Sequence, residues 1–542
     1  MASLNERTGT LGRRLASHLL RRCTYNFTFD RIDSFANMTA SQAVDELFSF
    51  PALQFPDGPL SWHDGSPIFK VPATRQNLGE EAGLFNEQDF HRATRLWMFY
   101  ETMYDPSIRM KLAYWLHSLF VTAFRGRWPY YNWALLVQST AGSLKSLGFK
   151  MTLDNQMMEY LDNRSNRKFD PNENYAREFL ELFTILRGPQ VETGNYTNYT
   201  EADISTAARL LTGWKMDDNQ VDPETGLPTS RPEHYDHDAD PKTFSAAFGN
   251  QTIAGALDAN DMYRELQDFV NMVYNQQETA RAFLRRFYRF FVSDVITPEI
   301  ESDIIDPLAT QLRGDDYILE PTLKRLLKSE HFYDEDDTDS SDEIIGAKLK
   351  SPLELYISSI MLWEGDRLDL TPNNATYLRI FKEDERFQTD FMRDMGMDPT
   401  GPQTVEGYFG FYKAPGYSNN WYNSTTNFYR YTIGESLLRG TVRKSNQEIP
   451  FKVDIVPFVD KNISNPSDAN ALVRELLEHL LPEYPAPDRI NYFLGSLLGQ
   501  GDANSWSQAW TSFKSNGNDT EVKEALENLF DTIMRSVEFQ TF

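Results

Sequence analysis

The chain has 542 residues, of which 40% are hydrophobic and 13% aromatic, so it can bury a large core, and its formal net charge is −26. Such an acidic surface repels phosphate backbones, which argues against nucleic acid as a partner. The single cysteine, Cys23, excludes an internal disulfide framework and a cysteine-rich zinc site.

The N-terminal segment, residues 1–22, carries basic residues but no apolar run of about 7–15 residues. We therefore expect no secretory signal peptide within this sequence. No stretch approaches about 18 uninterrupted apolar residues, so we also expect no transmembrane segment.

Most periodic segments of the chain have the helical repeat. It predicts helices over 39–49, 107–124, 171–187, 201–214, 278–292, 317–331, 344–363, 469–481 and 520–538. Strand-like alternation is rare, and "FKVDIVPFV" at 451–459 is the best candidate. The sequence thus predicts a mainly α fold: a single large multi-helical domain with long ordered loops and at most a minor β-sheet.

Two long loops are predicted, at 215–250 and 398–430. The second is rich in Gly, Pro and aromatic residues, and its Trp421 and Tyr422 are candidate binding residues. A long loop inside a compact domain is commonly either functional or disordered, and the aromatic content predicts that this one is packed. The acidic run at 333–343 is interpreted as a solvated loop; its spacing does not match an EF-hand, although a weak calcium site is the alternative.

The predicted helix 171–187 carries two glutamates with different surroundings. Asp170 and Glu173 have the spacing of a capping box. On a helical wheel of 100° per residue, Glu178 falls at the edge of the apolar stripe, whereas Glu181 shares the polar side with Arg177. We therefore expect Glu178 to be mostly buried and in need of a partner, and Glu181 to be more exposed and paired with Arg177.

Other candidate residues lie close by in the chain. His117 falls on the apolar side of the helix predicted at 107–124; it is interpreted as a core histidine or, opposite a buried glutamate, as part of a site. Side-chain oxygens also cluster between the two helices, on Asp162, Asn163, Asn166, Asn172 and Asn174. Turn and capping chemistry explains such a cluster, and a site for a hard cation or sugar hydroxyls is the alternative.

Several segments together resemble bacterial domain-of-unknown-function family 1800. They include "RMKLAYWLHSLF", "YLDNRSNRKFDPNENYAREFLELFT", "YTEADISTAARLLTGW", "HDADPKTF" and "ETARAFLRRFYRFFVS", in the expected order over most of 15–435. The resemblance implies a family-like helical domain over 1–435, and we expect 436–542 to be a C-terminal helical extension packed on it. It also implies an exported or cell-surface protein, commonly encoded beside sulfatase-like proteins of family 1501, but no established activity.

The chain departs from the family pattern at two histidines. The family's motif usually reads Trp-His-Asn-His-Phe, and here Leu119 occupies the second histidine position; Phe183 occupies the histidine position of Glu-Leu-His-Thr. His117, Glu178 and Glu181 alone would form a poor transition-metal site, so we expect no resident cofactor. The oxygen-bearing side chains that remain would suit a hard cation such as calcium.

Two functions follow as hypotheses. The favoured one is a non-catalytic surface or assembly protein that binds a partner protein, such as a sulfatase-like family 1501 protein, or a polysaccharide. Its candidate binding residues are Asn163, Asn166, Asn172, Asn174, Arg177, Trp421 and Tyr422. The alternative is an exported hydrolase or modifying enzyme that acts on glycans or surface polymers, with His117, Asp162, Glu178 and Glu181 as catalytic candidates.

Overall fold

The chain folds mainly into α-helices, as the sequence predicts. The computed structural model describes residues 2–51, 87–217, 219–336, 343–364, 391–441 and 452–542. Within those ranges the strands form short antiparallel pairs: β1 (Gln190–Glu192) with β2 (Asn195–Tyr196), β3 (Trp214–Lys215) with β4 (Arg231–Pro232), and β5 (Lys242–Thr243) with β6 (Thr252–Ile253).

The helices of the first half of the chain precede and follow these strands. They are α1 (Gly12–Cys23), α2 (Phe29–Ala36), α3 (Ala40–Leu47), α4 (Glu87–Tyr104), α5 (Arg109–Leu119), α6 (Pro129–Ser139), α7 (Leu144–Leu153), α8 (Asn155–Tyr160), α9 (Asn174–Glu178), α10 (Glu201–Leu210), α11 (Asp261–Tyr274) and α12 (Gln277–Phe291). A π-helix, Phe179–Phe183, continues α9 directly.

The second half of the chain is also helical. Its helices are α13 (Pro298–Ile300), α14 (Asp306–Gly314), α15 (Leu319–Leu327), α16 (Pro352–Glu364), α17 (Phe409–Tyr412), α18 (Ser424–Arg439), α19 (Ile455–Asn462), α20 (Ala469–Leu480), α21 (Pro487–Leu498), α22 (Ala503–Asn516), α23 (Thr520–Met534) and α24 (Val537–Gln540). A second π-helix, Glu301–Ile305, joins α13 to α14.

The strand predicted at 451–459 is wrong, because Ile455–Asn462 is helix α19; residue 451 lies outside the described residues. Ile455, Val456, Phe458 and Val459 are all buried, which is the spacing of one helix face. A short apolar run is ambiguous between strand and helix. Pro457 settles the ambiguity, since proline fits the first helical turn and is excluded from a central strand.

Capping signals in the sequence predict the start of one helix correctly and the start of another wrongly. Thr200 and Asp203 form a reciprocal capping box at the start of α10, as their spacing predicts. The capping box predicted for Asp170 is wrong: α9 begins only at Asn174, and Asp170 instead donates its backbone N–H to the Arg167 carbonyl. A hydrogen-bonded turn that ends at Asp170 therefore precedes the segment where the sequence predicts the first helical turn, and α9 begins later.

The acidic run at 333–343 is partly anchored. The carboxylate of Asp334 accepts the backbone N–H groups of Ile344 and Ile345, each at 2.9 Å. The carboxylate of Asp336 lies 2.7 Å from Nδ1 of His331. These two aspartates therefore hold the ends of the run against the protein, while residues 337–342 lie outside the described residues.

One hydrophobic core includes residues from both ends of the chain. The ring of Trp363 in α16 lies 5.1 Å from that of Phe458 in α19 and 4.5 Å from that of Phe530 in α23. The ring of Phe29 in α2 stacks on His479 in α20, with centroids 4.2 Å apart. The helices after residue 452 thus pack directly on the preceding helices.

Buried cations hold the C-terminal end of α12, which also forms part of the candidate site. The Lys348 ammonium donates to the carbonyl of Phe290 at 2.6 Å, and the Arg22 guanidinium donates to that of Phe291 at 3.3 Å. The last carbonyls of a helix carry partial negative charge, so cations stabilise them. Burial lowers the pKa of Lys348 to about 8. These contacts fix the last turn of α12 in position.

No helix among the described residues is long and apolar enough to cross a membrane.

Candidate functional site

A cleft of about 370 Å³ opens where several elements end together. α5 contributes its last residues, Ser118 and Leu119, and α12 contributes Arg286, Arg289 and Phe290 from its last turns. The segment after α9 contributes Glu181, Leu182, Leu186 and Arg187. The fourth wall comes from the loop predicted at 398–430, with Val405, Glu406, Phe411, Tyr412 and Tyr417. The cleft therefore combines apolar walls with a few charged and phenolic groups, which is typical of small-ligand sites.

The aromatic loop is packed, as predicted, and a glycine makes its packing possible. A Cβ atom on Gly410 would lie 1.9 Å from Cε2 of Trp421, so only glycine allows the indole to approach. Trp421 is 3% exposed and its ring lies 5.3 Å from that of Phe411. Trp421 thus supports the cleft wall from behind instead of forming a binding platform. Tyr422 is 44% exposed and lies outside the cleft lining.

The π-helix explains why Glu181 lines the cleft. A π-turn adds one residue per turn, so residues after Glu178 are rotated from the positions of a 100° wheel. The side chain of Glu181 is only 10% exposed and forms an ion pair with Arg187. It also accepts the Tyr199 hydroxyl at 3.3 Å. The prediction that Glu181 is exposed and paired with Arg177 is therefore wrong.

Arg177 has other partners. Its guanidinium contacts the carboxylates of Glu201 at 2.8 Å and Glu173 at 3.1 Å. These ion pairs join α9 to the start of α10 at the protein surface. Arg177 is therefore engaged by two carboxylates and is not among the residues that line the cleft.

Glu178 is half-buried beside the cleft but is not among its lining residues. Burial raises the pKa of the Glu178 carboxyl, and the negative charge of Glu406 raises it further. Since Glu406 lines the cleft, Glu178 is electrostatically coupled to the cleft rim. Its burial is less complete than the helical wheel predicts.

His117 lies in the core, away from the cleft lining. Its Nε2 atom lies 3.1 Å from the carbonyl of Thr122, and its ring meets Trp133 edge-on at 6.2 Å. Burial lowers the pKa of His117 to about 4, so the imidazole is neutral at neutral pH. The structure thus places His117 as a core histidine bound to backbone.

The asparagine-rich turn is held by its own hydrogen bonds. Oδ1 of Asn163 accepts from Asn166 at 3.1 Å, and Oδ1 of Asn166 accepts the Asn172 N–H at 2.8 Å. Oδ1 of Asn172 accepts the Asn174 N–H at 2.9 Å. Asp162 adopts a left-handed conformation with φ of 57°, which the turn requires. The arrangement favours turn chemistry over ligand binding for these residues.

Among the described residues, no group of three or more His, Cys, Asp or Glu side chains is placed to hold a metal ion. Leu119, at one departure from the family's histidine pattern, lines the cleft. Phe183, at the other, is fully buried with its ring 5.6 Å from that of Phe120. Apolar side chains therefore occupy both positions where the family pattern has histidine: Leu119 in the cleft lining and Phe183 in the core.

Sequence reasoning missed the residues that give the cleft its charge. Arg286 and Arg289 belong to a helix that the sequence predicts correctly, but the aromatic periodicity of α12 hides which arginines face a cavity. The spacing of Arg286 and Arg289 was the available signal, because residues three apart share a helix face. Glu406, Tyr412 and Tyr417 lie in the loop, where no periodicity indicates orientation.

These features define a class: a mainly α protein with an arginine-containing cleft between helix ends. The family model described as protein of unknown function (DUF1800) matches residues 18–541, so the chain belongs to the DUF1800 family. The match extends beyond residue 435 and includes the C-terminal helices. No curated protein and no solved structure matches the chain.

Proposed function

We propose that the protein is a non-catalytic binding protein that holds a short stretch of a polysaccharide in this cleft. The observation that supports it is the lining itself: the rings of Phe411, Tyr412 and Tyr417 stand beside charged groups in one cavity. Aromatic rings offer an apolar face with a polar edge, which suits a sugar ring. Arginine and glutamate side chains provide the donors and acceptors that sugar hydroxyls need.

The size of the cleft favours a polysaccharide unit over a protein surface as its occupant. Its volume of about 370 Å³ lies at the lower end of the range of about 300–1,000 Å³ typical of small-ligand pockets. A stable protein partner would instead bury on the order of 1,200–2,000 Å². A partner such as a sulfatase-like family 1501 protein would therefore need a different surface, and remains a separate prediction.

Binding is favoured over catalysis because the catalytic candidates do not converge on the cleft. Glu181 lines it, whereas His117, Asp162 and Glu178 are not among the lining residues. Glu181 is also engaged by Arg187 and Tyr199. A general base or acid must reach the reacting proton within about 2.6–3.2 Å, which this arrangement does not favour for His117.

Glycan hydrolysis remains the second candidate, and it is supported by the pKa of the Glu178 carboxyl, which burial and then the charge of Glu406 raise. A carboxyl group whose pKa is raised is suited to act as a general acid. If the protein hydrolyses glycans, replacing Glu178 by Gln should abolish release of reducing ends while binding persists. An array of glycans incubated with wild-type protein and assayed for reducing ends separates this candidate from simple binding.

The proposed function is tested by calorimetric titration of wild-type protein with the members of an oligosaccharide array. Val405, 37% exposed at the cleft, is replaced by Trp to fill the cavity, and Val537, 64% exposed and outside the lining, is replaced by Trp as the matched control. We expect Val405→Trp to weaken binding at least tenfold and Val537→Trp to leave it unchanged. Absence of binding by any oligosaccharide, or equal binding by both variants, would contradict the proposal.

A further inference from the structure

We propose that the sugar unit held in the cleft carries an anionic group, a carboxylate or a sulfate ester, and that Arg289 recognises it. This inference rests on the proposed function, because it names the chemistry of the ligand for the same cleft. It comes from a comparison of the partners of the three arginines that line the cleft, Arg187, Arg286 and Arg289.

Two of these arginines are already engaged by the protein. Arg187 forms an ion pair with the carboxylate of Glu181. Arg286 donates to the carbonyl of Leu182 at 2.6 Å and to those of Phe183 and Thr184 at 3.4 Å each. Arg286 thus closes the end of the π-helix, and its donors serve the backbone.

Arg289 differs from both. Its Nε atom is buried and has no hydrogen-bond partner among the described residues. Within the same described ranges, no carboxylate forms an ion pair with it; Asp294 and Glu301 act on it only as more distant charges. Its guanidinium carbon lies 4.7 Å from the ring centroid of Tyr417, which also lines the cleft. The guanidinium is therefore held against a ring, and its buried Nε donor has no partner in the part of the chain that the structure describes.

This geometry suits an oxyanion. A guanidinium that stacks on an aromatic ring keeps its planar fork of donors in one orientation, and that fork matches carboxylate and sulfate oxygens in pairs. Burial lowers the pKa of Arg289, which means that the charge is poorly solvated without a ligand. An unpaired, partly buried donor group costs free energy that a charged ligand can offset. The three arginines and two carboxylates of the lining also leave the cleft with a net positive charge, in a chain whose formal net charge is −26.

The test compares four probes by calorimetric titration: an oligogalacturonide, a neutral galactose oligosaccharide of equal length, its sulfated form, and inorganic sulfate. We expect wild-type protein to bind at least one anionic oligosaccharide at least tenfold more tightly than the neutral one. The arm that binds more tightly, carboxylate or sulfate ester, identifies the group. Inorganic sulfate alone should bind much more weakly than the anionic oligosaccharide.

Substitutions assign the preference to Arg289. Arg289→Met should remove the preference for the anionic oligosaccharide and keep binding of the neutral one, and Arg289→Lys should restore part of the preference. The matched control is Arg285→Met, in the same helix and with the same change of charge, because Arg285 pairs with Glu278 and Glu301 outside the cleft lining. The control should bind both oligosaccharides as the wild type does. Thermal unfolding confirms that each variant is folded.

The outcomes distinguish this inference from the proposed function. Equal affinity of wild-type protein for neutral and anionic oligosaccharides would overturn the role of Arg289 and leave the proposed function standing. An anionic preference that persists in folded Arg289→Met would also overturn it. Binding of inorganic sulfate without binding of any oligosaccharide, or no binding at all, would contradict both.

Discussion

At the scale of single residues, the two glutamates after Asn174 have different environments. Glu181 is 10% exposed and bound by Arg187 and Tyr199, so it stabilises the segment that lines the cleft. Glu178 is half-buried. Burial is the main cause that raises the pKa of its carboxyl, and the negative charge of Glu406 raises that pKa further. The Glu181 carboxylate therefore stabilises the fold through its partners, whereas the environment of Glu178 disfavours its ionised form.

Replacing Glu181 by Ala should lower the free energy of unfolding by about 1–3 kcal/mol, because the Tyr199 hydroxyl and the Arg187 guanidinium lose an enclosed partner. The control is Glu320→Ala, which removes a surface pair with Lys324 four residues away and should cost about 0.3–0.5 kcal/mol. Urea unfolding of both variants measures the difference. Equal losses would mean that the Glu181 pair is as solvated as the surface pair.

The raised pKa of Glu178 predicts a pH dependence of stability. A carboxyl group with a raised pKa in the folded state destabilises the fold as pH rises from its unfolded pKa through its folded pKa. Replacing Glu178 by Gln should therefore help stability more at pH 7 than at pH 4, relative to wild type. Urea unfolding of both proteins at the two pH values checks this. A relative stability of the variant that falls with pH would show that the ionised carboxylate stabilises the fold.

At the scale of elements, irregular helix geometry positions the site. The π-helix Phe179–Phe183 rotates Glu181 toward the cleft, and the Thr184 hydroxyl donates to the Phe179 carbonyl at 2.5 Å at its end. In the facing loop, the contact of Gly410 with Trp421 fixes Phe411 against the cleft. Both devices depend on close packing, so small changes of volume should have large effects.

Gly410→Ala should destabilise the protein by on the order of 1–3 kcal/mol and weaken ligand binding in the cleft. The added methyl group would overlap the rigid indole of Trp421, and overpacking forces neighbouring groups to shift. Gly495→Ala is the control, since Gly495 lies within α21 and, apart from the adjacent helix backbone, nothing lies within 4 Å of the added Cβ. There alanine should stabilise the helix by roughly 0.5–1 kcal/mol. Thermal unfolding of the two variants measures the difference in stability. Equal stability of Gly410→Ala and Gly495→Ala would contradict the predicted packing.

The sequence predicts elements well where local signals agree, and fails where packing decides. The capping box of Thr200 and Asp203 places the start of α10, and the apolar periodicity predicts α12 almost to its ends. The π-helix has no comparable local signal, so the wheel assigns Glu181 to the wrong side. The arginines of the cleft were also missed: the three-residue spacing of Arg286 and Arg289 shows that they share a helix face, but only the packing of distant segments makes that face line a cavity.

At the scale of the whole molecule, the C-terminal helices share one core with the rest of the chain. Trp363 of α16 contacts both Phe458 and Phe530 from beyond residue 452. We predict that 436–542 belongs to the same domain as 1–435, and we therefore expect the shared core to unfold as one unit. An exported or cell-surface location and a family 1501 partner remain predictions from family membership.

Phe530→Ala tests this continuity, because it removes a fully enclosed ring from the contact with Trp363. We expect a loss of about 3–5 kcal/mol in the free energy of unfolding, the usual cost of truncating a buried phenylalanine. We expect the wild type and the variant each to unfold in one calorimetric transition, with that of the variant at lower temperature. A separate transition at low temperature would mean that the C-terminal helices unfold independently.

The most direct test of the central claim is a crystal structure of the protein with the anionic oligosaccharide that binds most tightly. We expect its sugar ring in the cleft beside Phe411 and Tyr417, with its anionic group about 2.7–2.9 Å from the guanidinium of Arg289. An empty cleft, with the oligosaccharide bound elsewhere on the protein, would contradict it.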